Sequence, residues 1–276
     1  MTVAEIQHPS VRACLTYVSM PYGIEMQHNA DVPGMAGLGS SSAFTVGFLH
    51  ALYALIGRDI TKYQLARDAI HVEQNIIKEN VGSQDQTACS FGGFNKIEFG
   101  GDEQIHVTPI PMDGERLREL QKHLMLIFTR FSRNASEVAG EQIQTMKDHY
   151  NELTHMRQLV DEAYKVFTSS SVSLDEVGRL LHETWILKRS LTSRITSPFI
   201  DEVYEAARCA GALGGKLLGA GGGGFMLFYV RPEAQQRVKD ALRTLLHVPF
   251  EFETLGSHVI YNMSSREARG METRII

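Results

Sequence analysis

Cysteine is scarce in this sequence, basic charge is not in excess, and no hydrophobic run is long. The three cysteines, Cys14, Cys89 and Cys209, are far apart, odd in number and without CxxC or Cys/His metal spacing. That excludes a disulfide-built fold or a zinc module and points to a reducing compartment. Lys and Arg number 27 against 32 Asp and Glu, a formal net charge of -5, and no dense basic block occurs. Nucleic acid is therefore not expected as a partner, and an anionic ligand would have to be met by locally placed charge. The opening MTVAEIQHPSVRACLTY lacks the basic start and apolar core of a signal peptide, and no apolar run is long enough to span a bilayer. The expectation is a cytoplasmic protein with no membrane partner. Neither an internal repeat nor a low-complexity linker is visible. What is present is 276 residues, enough for one large domain or two ordinary ones with substantial cores.

Hydrophobic patterning supplies the elements. GIEMQHNADVP alternates and stops at Pro33, so it reads as a strand. Residues 42–57, SAFTVGFLHALYALIG, are apolar nearly all round and end at a glycine, the pattern of a helix buried on most sides. Thr61 and Gln64 have capping-box spacing and open a second helix running to about Asn80. FNKIEF and QIHVTPI flank Gly100-Gly101 as paired strands. A continuous apolar strand, HLMLIF, precedes a helical stretch from Ser136 onward, in which Ser173 with Glu176 and Ser197 with Pro198 mark helix starts. A glycine-rich loop then enters a buried strand in GALGGKLLGAGGGGFMLFYV. PEAQQRVKDALRTLL reads as an amphipathic helix and VPFEFETLGSHVIY as strand again. Interleaved strands and helices in both halves predict an α+β protein of two domains, residues 1–118 and 119–276.

Three stretches carry candidate chemistry. In PGMAGLGSSSAF, small residues stand between a strand and an apolar helix. Free N–H groups at a helix start favour an anion there, Gly37 and Gly39 allow close backbone approach, and the serine hydroxyls can bond phosphate or a metal. A plain strand-to-helix turn would look the same. A Walker A loop does not fit, because no lysine occurs between Pro33 and Arg58. A Rossmann turn fits poorly too, since Asp59, at nearly the right offset, stands at a helix start. On the second helix, Leu65, Ala66, Ala69, Ile70, Val72, Ile76 and Ile77 fall on one arc at 100° per residue, with Glu73 in its middle. Arg67, Asp68, His71, Gln74, Asn75 and Lys78 take the other side. A carboxylate pointing inward must be neutralised, paired with a buried Arg or Lys, or bound to a metal. Beside a phosphate loop the metal reading points to Mg2+. In VGSQDQTACSFGG, Asp85 sits in a glycine-flanked turn between two amides, a turn residue by itself. Next to an anion loop and a metal carboxylate it becomes a candidate to orient or deprotonate an acceptor hydroxyl.

PGMAGLGSSSAF, the inward Glu73, GSQDQ and GGKLLGAGGGGF stand in the order seen in the GHMP kinases, and the chain from about Gly23 on resembles that family. RFSRNASEV and HETWILKRSLTSRITSPFIDEVYEAA are most similar to its members that phosphorylate D-glycero-D-manno-heptose 7-phosphate at the anomeric oxygen. The resemblance implies a ribosomal-protein-S5-like N-terminal domain, a ferredoxin-like C-terminal domain, and ATP and Mg2+ as cofactors. It implies that Gly37, Leu38, Gly39, Ser40, Ser41 and Ser42 wrap the ATP phosphates, that Ser41 and Glu73 hold Mg2+, and that Asp85 is the catalytic aspartate. Gly221, Gly222 and Gly223, within the third motif of residues 219–224, would lie against the phosphate loop. Arg133, Lys188 and Arg189 are candidates for a phosphorylated sugar, or else solvated helix charges. The expected activity is transfer of phosphate from ATP to a sugar or sugar phosphate. Fucose or galactose is the alternative acceptor, and a noncatalytic nucleotide- or sugar-binding protein the alternative class. GHMP kinases usually begin with a strand pair carrying a glycine-rich first motif, which nothing in residues 1–22 resembles. The expectation is a member lacking that segment, whose first domain exposes a sheet edge and some core unless another chain, as in a homodimer, covers it.

Overall fold

The computed structural model describes residues 2–32, 34, 37–101, 104–129 and 135–263. The first half is built on four helices and a hairpin: α1 (Pro9–Val18), α2 (Ser40–Leu55), α3 (Lys62–His71), α4 (Gln84–Phe91), β1 (Asn95–Phe99) and β2 (Ile105–Pro109). Leu15, Val46, Leu49, Leu52, Leu65 and Val72 form its core between α1, α2 and α3. The capping box at Thr61 is half made: the Gln64 backbone amide donates to Thr61 Oγ1 at 3.1 Å, while the Gln64 side chain turns to Asp68. β1 and β2 pair antiparallel around the Gly100-Gly101 turn, as patterning predicts.

Four expectations change in this half. Residues 23–33 do not form a strand: those described have no ladder partner and are mostly exposed, and alternation alone cannot supply a partner. α2 is buried on one side only, leaving Ala43, Gly47, Ala51 and Leu55 exposed at four-residue spacing. The second helix does not run on to Asn80. After His71 the backbone winds as a π-helix from Val72 to Ile77 and ends at Lys78 with φ +65°. The wider turn resets the faces, so Ile76 is exposed and Glu73 stays inside. Asp68 is also buried, because the hydroxyls of Tyr17 (2.8 Å) and Tyr53 (2.7 Å) and the Gln64 amide (2.7 Å) all donate to it.

The second half begins with α5 (Gly114–His123), which feeds directly into β3 (Leu124–Phe128), so the expected boundary at 118/119 falls within a helix. There follow α6 (Ala135–Thr145), α7 (Tyr150–Thr168), α8 (Asp175–Ser190), α9 (Pro198–Ala210), β4 (Ala212–Leu217), β5 (Phe225–Val230), α10 (Pro232–Ala241) and β6 (Leu246–Val248). The sheet order is β4-β5-β3-β6, antiparallel throughout, which is the ferredoxin-like arrangement. VPFEFETLGSHVIY pairs only as far as Val248, and the rest runs without a ladder. Ser197 caps α9 by accepting from the Ile200 amide at 3.3 Å, with Pro198 at the first helical position. Ser173 accepts from the Asp175 amide, but Glu176 turns away to pair with Arg179, so that capping box is only half made. Trp185, Tyr204, Phe228, Met226 and Leu217 fill the core. α8 packs on β4 backbone to backbone: a Cβ added at Gly214 would lie 1.9 Å from the Gly178 carbonyl oxygen. No other residue fits that crossing without moving the helix.

Candidate active site

The glycine-serine loop meets the third glycine loop at the junction of the halves. Leu38 and Val32 pack with Phe225, Leu218 and Phe128 of the second sheet. A Cβ at Gly219 would sit 2.8 Å from the Gly37 carbonyl oxygen. The third loop is pinned in turn, with the Gly222 amide donating to the Ile195 carbonyl (2.9 Å) and the Thr129 amide to the Gly224 carbonyl (2.8 Å). Gly221, Gly222, Gly223 and Gly224 all have φ between +81° and +148°. That backbone belongs to glycine, which is why four stand in a row.

Gly39 forms the N-cap of α2 with φ +69°, and no side chain caps the helix from that position. The first-turn N–H groups therefore face outward from the helix start, a setting that favours an anion. Against this turn lies Asp85, in the first turn of α4 and not in the loose turn expected from sequence. A Cβ on Gly39 would come within 2.8 Å of Asp85 Cγ and Oδ2. Burial raises the Asp85 carboxyl above the ordinary aspartate range.

Glu73 is 1% exposed. Its Oε2 accepts from Ser42 Oγ at 2.8 Å and from the Gln86 side-chain amide, while Oε1 is buried without a partner. The serine hydroxyl bonded to Glu73 is thus that of Ser42, whereas the resemblance names Ser41 as the one that holds Mg2+ with it. Ser41, one residue and about 100° away on the helix, is exposed and lines a cavity with Ser40. No Arg or Lys pairs with Glu73 among the described residues, so the salt-bridge alternative is not realised. An orphaned carboxylate oxygen beside a helix start fits a divalent cation that takes one protein carboxylate and completes its shell elsewhere. Among the described residues, no group of three or more His, Cys, Asp and Glu could hold a metal unaided.

Two cavities flank the loop, with Leu38 lining both. One, of about 700 Å³, is largely apolar and bounded by Met26, His28, Phe44, Phe48, Ser40 and Ser41. The other, of about 470 Å³, holds Asp85 together with Gly37, Gly219, Gln142, Lys188 and Lys216. Lys188 Nζ donates to the carbonyls of Leu217 (3.2 Å) and Gly219 (2.5 Å), tying α8 to the third loop. Burial, and then the charge of Lys216, push its ammonium down to about 7. Lys216, on β4, is likewise lowered by burial. Sequence reasoning missed Lys216, although a lysine between a glycine pair and a buried leucine was a visible signal. Arg189 stands apart from this cleft, paired with Asp201 at 3.3 Å. Arg133 lies outside the described residues.

The sequence profile of the GHMP kinases N terminal domain matches residues 9–93, and that of the GHMP kinases C terminal domain matches residues 170–248. The chain belongs to the GHMP kinase family. It is 28% identical over 228 residues to the D-glycero-alpha-D-manno-heptose 7-phosphate kinase of Campylobacter jejuni, covering 82% of this chain and 67% of that protein. To the mevalonate kinase of Thermococcus onnurineus it is 28% identical over 231 residues, 80% of this chain and 63% of the relative. The chain thus spans about two thirds of the length of these relatives. Its fold matches the crystal structure of a D-glycero-D-manno-heptose 1-phosphate kinase from Bacteriodes thetaiotaomicron, with a TM-score of 0.69 and 26% identity over 94% of this chain and 77% of that one. In this GHMP kinase the glycine loops of the two halves lie against each other, with Asp85 at their edge. No helix among the described residues is long and apolar enough to cross a membrane.

Proposed function

We propose that this GHMP kinase transfers the γ-phosphoryl group of ATP to a sugar hydroxyl, its acceptor being D-glycero-D-manno-heptose 7-phosphate and its product the 1,7-bisphosphate. The observation that carries the reading is the packing of Asp85 against Gly39. A carboxylate held at the edge of an uncapped helix start can meet an acceptor hydroxyl while the amides beside it meet the phosphate. The apolar cavity beside Phe44 suits the adenine. Gly37, Leu38, Gly39, Ser40 and Ser42, backed by Gly221, Gly222 and Gly223, suit the phosphate chain.

Mg2+, when bound, would neutralise phosphate charge. Glu73 would hold it through the free Oε1, and Ser42, whose hydroxyl donates to the other oxygen of that carboxylate, would keep the carboxylate oriented. Asp85 would accept or orient the proton of the anomeric hydroxyl as its oxygen bonds to the γ-phosphorus and the bond to the ADP oxygen breaks. Its raised affinity for a proton brings it nearer the pH at which a base works best. The heptose acceptor rests on the likeness to the two heptose phosphate kinases.

The reading is tested by ADP release from Mg-ATP with heptose 7-phosphate, galactose and fucose. We expect turnover on the heptose phosphate that Asp85→Ala abolishes while ATP binding persists. Turnover on galactose or fucose alone would overturn the acceptor. Undiminished turnover in Asp85→Ala would overturn the role of the carboxylate.

A further inference from the structure

Next to the Asp85 cleft lies another cavity, of about 650 Å³, between β1 and the helices α7 and α8. Apolar residues such as Leu159, Phe167 and Leu180 share its lining with the charged Lys96, Glu98, Arg157 and Asp161 and with Thr184, Gln84 and Lys216. Gln84 and Lys216 also line the Asp85 cleft, so the two spaces meet at these residues. Lys188 is committed to the carbonyls of the third loop. Lys96, on the far wall, is committed to Glu98 (3.3 Å) and Asp161 (3.2 Å). Lys216 has neither a hydrogen-bond acceptor nor an ion-pair partner for its ammonium among the described residues. Lys216 stands on β4 two residues after Gly214, where α8, the helix that carries Lys188, crosses the strand at Gly178. A half-buried ammonium without a protein partner, facing two cavities at once, is a ready seat for an anion.

We infer that Lys216 receives an anionic substituent of the acceptor, so that the sugar lies between Asp85 and the α7–α8 cavity with its phosphate on Lys216, and that this lysine selects phosphorylated over neutral acceptors. The inference rests on the proposed kinase reading and deepens it. Gln84, next to Asp85 in sequence and shared by both spaces, would bond sugar hydroxyls along the way.

The test measures calorimetric binding of heptose 7-phosphate and of the unphosphorylated heptose, without ATP, to wild type, Lys216→Met and Lys216→Arg, followed by kcat and KM for both sugars with Mg-ATP. We expect the wild type to prefer the phosphorylated sugar and Lys216→Met to reduce that preference by roughly 10–100-fold, the scale of a lost charge-assisted hydrogen bond. Lys216→Arg should recover part of the preference, and the loss should appear in KM for the sugar more than in KM for ATP. Near-UV circular dichroism and a second variant, Lys216→Gln, guard against misfolding. Equal losses on both sugars, or a loss confined to ATP affinity, would overturn the inference. Because binding is read without turnover, a wild type that binds heptose 7-phosphate through Lys216 yet transfers nothing would defeat the kinase reading alone. A wild type that binds both sugars equally would defeat the inference alone.

Discussion

Gly39→Ala perturbs the point on which the proposed chemistry depends. Two costs can be separated. The backbone there has φ +69°, and an L-residue in the left-handed region costs about 1–2 kcal/mol. The new Cβ would also lie 2.8 Å from Asp85 Cγ, whereas carbon atoms settle at about 3.5–4.0 Å, so the carboxylate must retreat by about 1 Å. A misplacement of about 1 Å can cost about 100-fold in rate. We expect kcat to fall by about that factor in an ADP-release assay at saturating ATP and acceptor. The melting temperature should fall by about 2–8 °C, at 2–4 °C per kcal/mol for a protein of this size. A cycle with Asp85→Ala divides the two costs, because removing Cγ relieves most of the clash and leaves the backbone penalty. The alanine at position 39 should therefore destabilise Asp85→Ala less than it destabilises the wild type. A Gly39→Ala protein with kcat within threefold of wild type and unchanged melting would refute the reasoning from both sides.

Glu73→Gln should weaken Mg2+-dependent ATP binding by about tenfold or more in calorimetry, as the charge on its orphaned oxygen is lost. Wild-type ATP affinity that ignores Mg2+ would end the metal proposal. Gly214→Ala should destabilise by about 3 kcal/mol, the upper range for overpacking, or prevent folding, because its Cβ meets the Gly178 carbonyl oxygen at 1.9 Å. A melting temperature within 3 °C of wild type, a margin of about 1 kcal/mol at this size, would show that α8 does not cross β4 so closely. For Lys188, the ammonium is lowered to about 7 by burial and Lys216. Between pH 7 and 10 the unfolded chain therefore binds at Lys188 a proton that the folded one lacks, and the contribution of Lys188 to ligand-free stability rises with pH across that window. The melting temperature of the wild type minus that of Lys188→Met should thus increase from pH 7 to pH 10, and a flat difference would contradict the depressed value.

What the sequence disclosed follows from how local each cause is. The caps at Thr61 and Ser197 are made within three residues and could be read directly. The inward face of Glu73 followed from 100° periodicity, yet the π-helix that carries it did not, since its wider turn is settled by packing against α1 and α2. Asp68 looked solvated because two of its donors, Tyr17 and Tyr53, come from other helices. Residues 23–33 alternate like a strand, but pairing is a property of a neighbour that the pattern cannot name. The three motifs were visible because glycine runs and an inward carboxylate are rare enough to need a reason. Lys216 stayed hidden just before the third motif, since the two cavities it faces form only when the chain folds around it. That Ser42 is the hydroxyl bonded to Glu73 stayed hidden for a similar reason: which hydroxyl reaches Glu73 depends on the rotation of α2 against the π-helical turn.

The most direct measurement is mass-spectrometric detection of the sugar product after incubating the folded protein with Mg-ATP and heptose 7-phosphate, in wild type and in Asp85→Asn. We expect the 1,7-bisphosphate from the wild type and a yield lower by about 10²–10⁴-fold from the variant, the range for losing a positioned acid-base group. Undiminished product from Asp85→Asn, or none from a folded wild type, would contradict the claim that Asp85 at the edge of the glycine loop drives phosphoryl transfer to this sugar.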